Sequence, residues 1–490
     1  MRQTLRRSCA ACAKSKAKCD LGSPQCSRCI KRHNQCAYAN EPLTATLTSA
    51  ERKAGQPSTH LQSLSIGRFG SLDPFDSYPP TRLPREHVQR LIHTCTRFPA
   101  KFIHTDPLTT TVLTKIAFQY YPLDLNTTSN PFLVSWWPLA LGDPALFHVS
   151  LQTACLDEEL LAQKGFQTSE ALMADSVALL RRKLSHQTLA VQDGTMNCVI
   201  TLAAIEFGKG NVVVSQMHVE GVKRMVNTRG GINGVRQTSP LTARMVSWIS
   251  MLITGHPQFE TQNDFGAGNG IPSIPEWHLD LSTYHEYPTA LDGLLVDESV
   301  RNVFIRLYKV FERAQRTPIS TTQLHDLTCY VIHRLLPTTS DLESVSSSSP
   351  TECMRYAVVL YMFITHGTTY YPHTFVLNRT LVQFKIQLEK SESSPWLYDS
   401  FGIWLLAIGM VASTGTLRYQ WFLERARTIA TSLQLRSWDE VFVHIKGILW
   451  LETLQGEQSF RPHWDILFRT TSLPCLPEYV VDFSWRHRTP

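Results

Sequence analysis

Six of the chain's twelve cysteines lie within residues 9–36, at a spacing that occurs twice: Cys9-x2-Cys12-x6-Cys19, then Cys26-x2-Cys29-x6-Cys36. A segment this short cannot bury an apolar core, so its order must come from cross-linking, and metal binding and folding become one event. Zinc holds four thiolates in a tetrahedron, and a two-residue gap lets both sulfurs of a pair reach one ion from a tight turn. The repeat implies two equivalent half-sites, and six thiolates satisfy two zinc ions only if two sulfurs bridge. Three simpler assignments compete with this one. A zinc ribbon on Cys9, Cys12, Cys26 and Cys29 leaves Cys19 and Cys36 without a role at matching positions. A disulfide knot needs an oxidising compartment, and a redox pair needs a βαβ context that the flanking sequence lacks.

Charge is concentrated in the same place. Residues 1–40 hold nine Lys and Arg (Arg2, Arg6, Arg7, Lys14, Lys16, Lys18, Arg28, Lys31, Arg32) against one acid, Asp20, a net +8. The other 450 residues carry 38 basic and 40 acidic side chains, a net −2. A positive field confined to one end points to a polyanion, bound there with release of phosphate counterions. The opening MRQTLRRSCAAC has no apolar core, which argues against export and against a disulfide framework.

The residues Cys9-Ala-Ala-Cys12-Ala-Lys-Ser-Lys16-Ala-Lys18-Cys19-Asp20, Pro24-Gln-Cys26-Ser-Arg-Cys29 and Cys36-Ala-Tyr38 resemble the fungal zinc binuclear cluster (Zn2Cys6) transcription factors over the whole of that motif. The resemblance implies two Zn2+ held by Cys9, Cys12, Cys19, Cys26, Cys29 and Cys36, with Cys9 and Cys26 bridging. It also implies double-stranded DNA as partner, and the clusters Arg6-Arg7, Lys14/Lys16/Lys18 and Lys31-Arg32 can serve as import signals too, so the nucleus is the expected location. The short helix after the second cysteine would enter the major groove. Lys16 would read a CGG triplet through guanine O6 and N7, with Lys14, Lys18, Arg28, Lys31 and Arg32 on phosphates. Pro24 matches the proline that turns the loop between halves. Ala13 departs from the family, which usually has Arg or Lys there, so one phosphate contact is missing or passes to Lys14.

Beyond the cluster, the sequence predicts a mainly α protein: a Zn2Cys6 DNA-binding domain at 1–40, a disordered linker at 41–84 and a large all-α regulatory domain at 85–490. The linker is rich in Ser, Thr and Pro, and its leucines keep no heptad register. Helical stripes follow: Phe147, Leu151, Ala154; Met173, Val177, Leu180, Leu184; Val300, Phe304, Leu307, Phe311; Phe422, Ala426, Ile429, Leu433. Asp143-Pro144, Ser169-Glu170 and Asp297-Glu298 read as helix starts, and Gly230-Gly231 as a stop. Segments 256–296 and 337–351 read as surface loops. The apolar run from Phe401 to Ala412 is about half the length of a membrane span and reads as a buried helix, so no membrane is expected.

Two segments of the large domain resemble the regulatory domain found downstream of such clusters, Trp137-Pro-Leu-Ala-Leu-Gly-Asp143-Pro-Ala-Leu-Phe-His148 and His218-Val-Glu-Gly221 through Arg229-Gly-Gly231. Val222, Met225 and Val226 give the second its buried stripe, so its residues read as structural. Enzyme motifs fail. His218-x-Glu220 lacks the later P-C-x-x-C of a deaminase, Gly266-Ala-Gly268-Asn-Gly270 lacks dinucleotide spacing, and His285-Glu286 lacks a second histidine. Further partners expected are the transcription machinery and a second copy in a homodimer. The alternative function is a zinc-dependent RNA- or protein-binding module attached to a helical domain of other activity.

Overall fold

The structure, a computed structural model, describes residues 10–15, 17–18, 27–33, 78–94, 130–163, 165–278, 293–336, 348–367 and 373–469. The chain divides into two compact units, Met1–Ile66 and Gly67–Pro490. In the first, two short helices are described, α1 (Ala10–Lys14) and α2 (Ser27–Lys31). The residues from 41 to 77, which the sequence assigns to a linker, lie outside the described residues.

The second unit is helical, and its only β pairing among the described residues is an isolated bridge between Thr261 and Ile271. Its contacts begin at Tyr78, ahead of the boundary read from the sequence. Tyr78 stacks on Phe147 with ring centroids 5.6 Å apart, and His148 Nε2 lies 2.9 Å from the Pro80 carbonyl. Prolines fix the local backbone here and leave ring and carbonyl free to dock. After α3 (Arg85–Thr94), a π turn at Phe132–Trp136 leads into α4 (Trp137–Gly142), α5 (Pro144–Ala162) and α6 (Gln167–Leu184).

Two apolar helices centre the core. In α8 (Asp193–Gly208), which follows the single turn α7 (Gln187–Ala190), every residue from Gly194 to Glu206 is buried. It is covered by α5, α9 (Val212–Thr228) and α11 (Pro240–Thr254), with α10 (Gly231–Thr238) against α11. The run from Phe401 onward forms α16 (Ser400–Ala412), apolar on all sides as a buried helix must be. Around it pack α14 (Ser349–His366), α17 (Tyr419–Ser432), α18 (Trp438–Ile448) and α19 (Leu454–Phe468). Between these groups lie α12 (Glu298–Ala314) and α13 (Thr321–Leu335), while α15 (Thr374–Lys390) lies along α14.

Local signals and structure agree where the signal is short-ranged. Asp143 caps α5, its carboxylate accepting from the Ala145 and Leu146 amides, with Pro144 in the first turn. The stripe Val300, Phe304, Leu307, Phe311 is wholly buried on α12. Asp297 precedes α12 as expected, although its side chain makes no cap bond. Helix α6 differs. It starts two residues before Ser169, because the Glu159 carboxylate of α5 accepts from the Thr168 amide at 2.7 Å and serves as its cap. Its most buried residues are Ser169, Leu172, Ser176 and Leu180; of the predicted stripe, Leu180 is buried, Met173 and Val177 are partly buried against the core, and only Leu184, 42% exposed, leaves it. The Ser176 hydroxyl donates to the Leu172 carbonyl at 2.8 Å. A serine bonded back to its own helix in this way can be sealed at little cost.

The surface-loop reading of 256–278 is corrected. Ile271, Ile274 and Trp277 are buried, Arg306 of α12 donates to the Trp277 carbonyl at 2.8 Å, and the Tyr330 hydroxyl donates to the Gln262 carbonyl at 3.1 Å. Backbone carbonyls satisfied from neighbouring helices let an irregular segment be interior. The other loop ends sooner than expected, since Ser349, Pro350 and Thr351 already belong to α14. Residues 279–292 and 337–347 lie outside the described residues.

Candidate nucleic-acid interface

The repeat in the sequence reappears as two helical turns at matching places. Cys12 sits inside α1 and Cys29 inside α2, each the second cysteine of its half, and the two helices pack on each other. Both sulfur-bearing residues are buried, at 1% and 2% exposure, and they alone are buried among the described residues of that unit. Each helix closes on a short turn. The Ser15 amide donates to the Ala11 carbonyl at 3.1 Å, the Ala17 amide to the Cys12 carbonyl at 3.0 Å, and the Arg32 amide to the Arg28 carbonyl at 3.1 Å. His33 ends α2 at positive φ, in the left-handed region. Histidine tolerates that conformation better than bulkier residues do.

The basic side chains point the other way. Lys14, Lys18, Lys31 and Arg32 are exposed and Arg28 is half-buried, so each helix turns thiols inward and cations outward. Lys14 and Lys31 stand at helix C-termini, where a cation complements the dipole. Buried cysteines on two helices that pack together, with exposed cations beside them, suit a thiolate-bound metal whose surplus negative charge the lysines offset, so these donors fit zinc. Lys16, Cys9, Cys19, Cys26 and Cys36 lie outside the described residues. Sequence reasoning passed over Ile30, 55% exposed on α2 between the basic residues Arg28 and Lys31.

The motifs of the large unit are architectural. Asp143, besides capping α5, pairs with Lys183 of α6. A side chain at Gly194 would place its Cβ 2.1 Å from Asp143 Oδ2, so a larger residue there would push the Asp143 carboxylate out of its present position. Arg229 at the end of α9 pairs with Asp193 at the start of α8 and donates to Thr238 of α10. Gly230 and Gly231, both at positive φ, turn the chain between α9 and α10. Val219, Val222 and Val226 are the buried stripe of α9, with Met225 only partly covered.

Titratable groups in this unit are tuned for the neutral state or for pairing. Burial lowers His325 to about 3, His366 to about 4 and His373 to about 3, and His325 Nδ1 lies 3.0 Å from His366 Nε2. Burial pushes the Asp326 carboxyl up, but hydrogen bonds from Arg244 and Arg236 outweigh it and hold it at about 2. Burial raises the Cys198, Cys329 and Cys353 thiols to about 12. All three are therefore inert thiols rather than nucleophiles. No helix among the described residues is long and apolar enough to cross a membrane.

Comparison with known families agrees with both units. The family model for the fungal Zn(2)-Cys(6) binuclear cluster domain matches residues 7–45, and that for the fungal specific transcription factor domain matches residues 114–259. A transcriptional regulator of Pestalotiopsis microspora is 37% identical over 76 residues, 16% of this chain and 17% of that one. The transcription factor pgmR of Aspergillus terreus is 35% identical over 85 residues, 16% of this chain and 40% of that one. The chain thus aligns with less than half the length of each. No solved structure matches. The first unit thus matches the fungal Zn(2)-Cys(6) binuclear cluster domain and the helical unit the fungal specific transcription factor domain, and the similar proteins are fungal transcription regulators.

Proposed function

We propose that the chain is a sequence-specific DNA-binding transcription regulator acting in the nucleus on RNA polymerase II genes, with two Zn2+ in its cluster and CGG triplets as its target. The observation that carries this reading is the pair of short helices with buried cysteines and exposed lysines, Lys14 and Lys31. Lys16 would contact guanine, while Lys14, Lys18, Arg28, Lys31 and Arg32 would neutralise phosphates. The near-neutral helical unit would act through partners in the transcription machinery or by pairing two copies, bringing two clusters to neighbouring triplets and raising avidity. The six-cysteine repeat and its basic flanks favour this over an RNA- or protein-binding zinc module.

Gel-shift titration of the full zinc-loaded chain against a CGG duplex, a scrambled duplex and single-stranded RNA of the same length tests the proposal, alongside zinc analysis. Two ions per chain and tightest binding to the CGG duplex are expected. Lys16→Ala should lose about 1–3 kcal/mol on that duplex alone. One zinc per chain, or RNA bound as tightly as CGG DNA, would refute it.

A further inference from the structure

The chain leaves α12 through Arg313-Ala-Gln-Arg316-Thr317-Pro318 and enters α13 at its cap, Ser320. Pro318 has no amide hydrogen to continue the helical bonding and disfavours helical angles in the residue before it, so the helix stops here. Its last bonds run from the Arg316 and Thr317 amides, both to the Arg313 carbonyl at 3.0 Å. From Gln315 to Ser320 every residue except Ile319 is exposed.

Three groups on this tip have no partner among the described residues. The Thr317 hydroxyl makes no hydrogen bond there, and the Arg313 and Arg316 guanidinium groups make neither a hydrogen bond nor an ion pair. The bond from the Thr317 amide to the Arg313 carbonyl closes one helical turn, which sets these two side chains on one face, with Arg316 next to Thr317 in the chain. A hydroxyl thus stands beside two uncompensated positive charges. The serines that precede a proline are placed differently. Ser239 caps α11 with its hydroxyl 2.7 Å from that of Thr242, Ser349 already lies in α14, and Ser394 leads into the helical turn Pro395–Tyr398. All three are half-buried, and each following proline belongs to the first turn of a helix. Among the described residues, Thr317-Pro318 is the one Ser/Thr-Pro pair with both members exposed and no helix started by its proline.

We infer that Thr317 is a phosphorylation site for a proline-directed protein kinase, and that Arg313 and Arg316 hold the phosphate on the tip. A kinase of that class needs a free hydroxyl on an accessible, non-helical segment with proline next in the chain. The step moves the γ-phosphoryl group of ATP. The bond from phosphorus to Thr317 Oγ1 forms, the bond to the bridging oxygen breaks, ADP departs, and the hydroxyl proton passes to the kinase's own carboxylate base. The product carries roughly −1.5 to −2 charge on three acceptor oxygens, which two guanidinium forks match and nearly neutralise. The site is independent of the zinc cluster, so its failure would leave the proposed function standing.

The test is incubation of the full zinc-loaded chain with a proline-directed kinase, magnesium and ATP, with sites mapped by mass spectrometry and a synthetic peptide of residues 311–322 as the positive control. Ser239, Ser349 and Ser394 should gain phosphate about tenfold more slowly than Thr317, because each must first leave a helix start. Pro318→Ala should abolish most of the labelling at Thr317. Phosphorus NMR titration of the phosphorylated chain then reads the arginines. The phosphate's second pKa should rise by about 0.5 when Arg313→Gln and Arg316→Gln are combined, the worth of two exposed ion pairs. Thr317 left unmodified while the peptide is modified, labelling of the three serines as fast as Thr317, labelling unaffected by Pro318→Ala, or a phosphate titration unmoved by the arginine changes would overturn the inference.

Discussion

Replacing Asp326 by asparagine should destabilise the helical unit by about 2–3 kcal/mol, near the lower end of what breaking a buried ion pair costs. Asp326 lies on α13 with its side chain 6% exposed, and it ties together three helices. Arg244 of α11 reaches it with Nε on Oδ1 at 2.7 Å and Nη2 on Oδ2 at 2.9 Å, and Arg236 of α10 adds Nη2 on Oδ2 at 2.7 Å. The first measure of its worth is the carboxyl's own titration, which falls from 3.8 to about 2. At about 1.4 kcal/mol for each pH unit, the surroundings favour the charged form over the neutral one by about 2 kcal/mol. The second is pair breakage, since removing one member of a buried pair typically costs about 3–5 kcal/mol. The side chains of Arg244 and Arg236 are 14% and 24% exposed, so they regain some hydration, which lowers the cost in this case. Asparagine keeps one oxygen that can accept but turns an N–H2 toward guanidinium donors. Urea unfolding of the full chain, followed by far-ultraviolet circular dichroism, reads the loss. The triple variant Arg236→Met, Arg244→Met, Asp326→Leu should recover most of it, because it removes the uncompensated charge as well as the bond. A loss under about 0.5 kcal/mol for Asp326→Asn, in the range of ordinary surface substitutions, or a triple variant no better than the single one, would refute the reasoning.

Acidification should weaken the same unit in a defined window. His325, His333, His366 and His373 are held neutral by burial at about 3–4. The unfolded chain protonates them near the ordinary value of about 6.5. Because the unfolded state takes up more protons, stability is intact above about pH 6.5 and falls from there downward, so the urea midpoint should drop between about pH 7 and pH 5. Asp326 stays charged throughout that window, and an unchanged midpoint would contradict the histidine argument. Gly409→Ala would normally favour a helix by about 1 kcal/mol. Here the new Cβ would lie 2.2 Å from the fully buried Phe422 ring. A net loss of about 1–3 kcal/mol from overpacking is therefore expected in the same unfolding assay. Chelating zinc should abolish the DNA shift while the helical circular dichroism signal persists, since the helices of the second unit carry their own apolar core. Lys18→Ala should weaken CGG and scrambled duplexes alike and lower the salt slope by about one in gel-shift titrations across salt concentrations.

The parts of the candidate interface visible in sequence were those whose physics is local. A chelate spacing, a run of cations and a cap such as Asp143 act over a few residues, so reading residues in order is enough to find them. Ile30 was missed because an isolated apolar residue among charges carries no pattern. Thr317 was missed because its Thr-Pro pair looks like any other in the sequence, and only exposure and bonding set it apart.

The sequence by itself determined the two-fold cysteine framework, the confinement of positive charge to the first 40 residues, and the helical character of the rest. Periodicity also identified the buried stripe of α12, and the unbroken apolar run identified α16 as a buried helix, because apolar faces have no other stable place. Only the tertiary structure decided how α6 is capped and where its buried stripe ends, whether 256–278 is surface or core, and where Asp326 finds its partners. Those outcomes depend on which surfaces meet. The Glu159 cap crosses from one helix to the next, Arg306 satisfies a carbonyl 29 residues away, and Arg236 lies 90 residues from Asp326. Such pairings are set by chain closure and packing, in which each contact becomes favourable only when the others are already made.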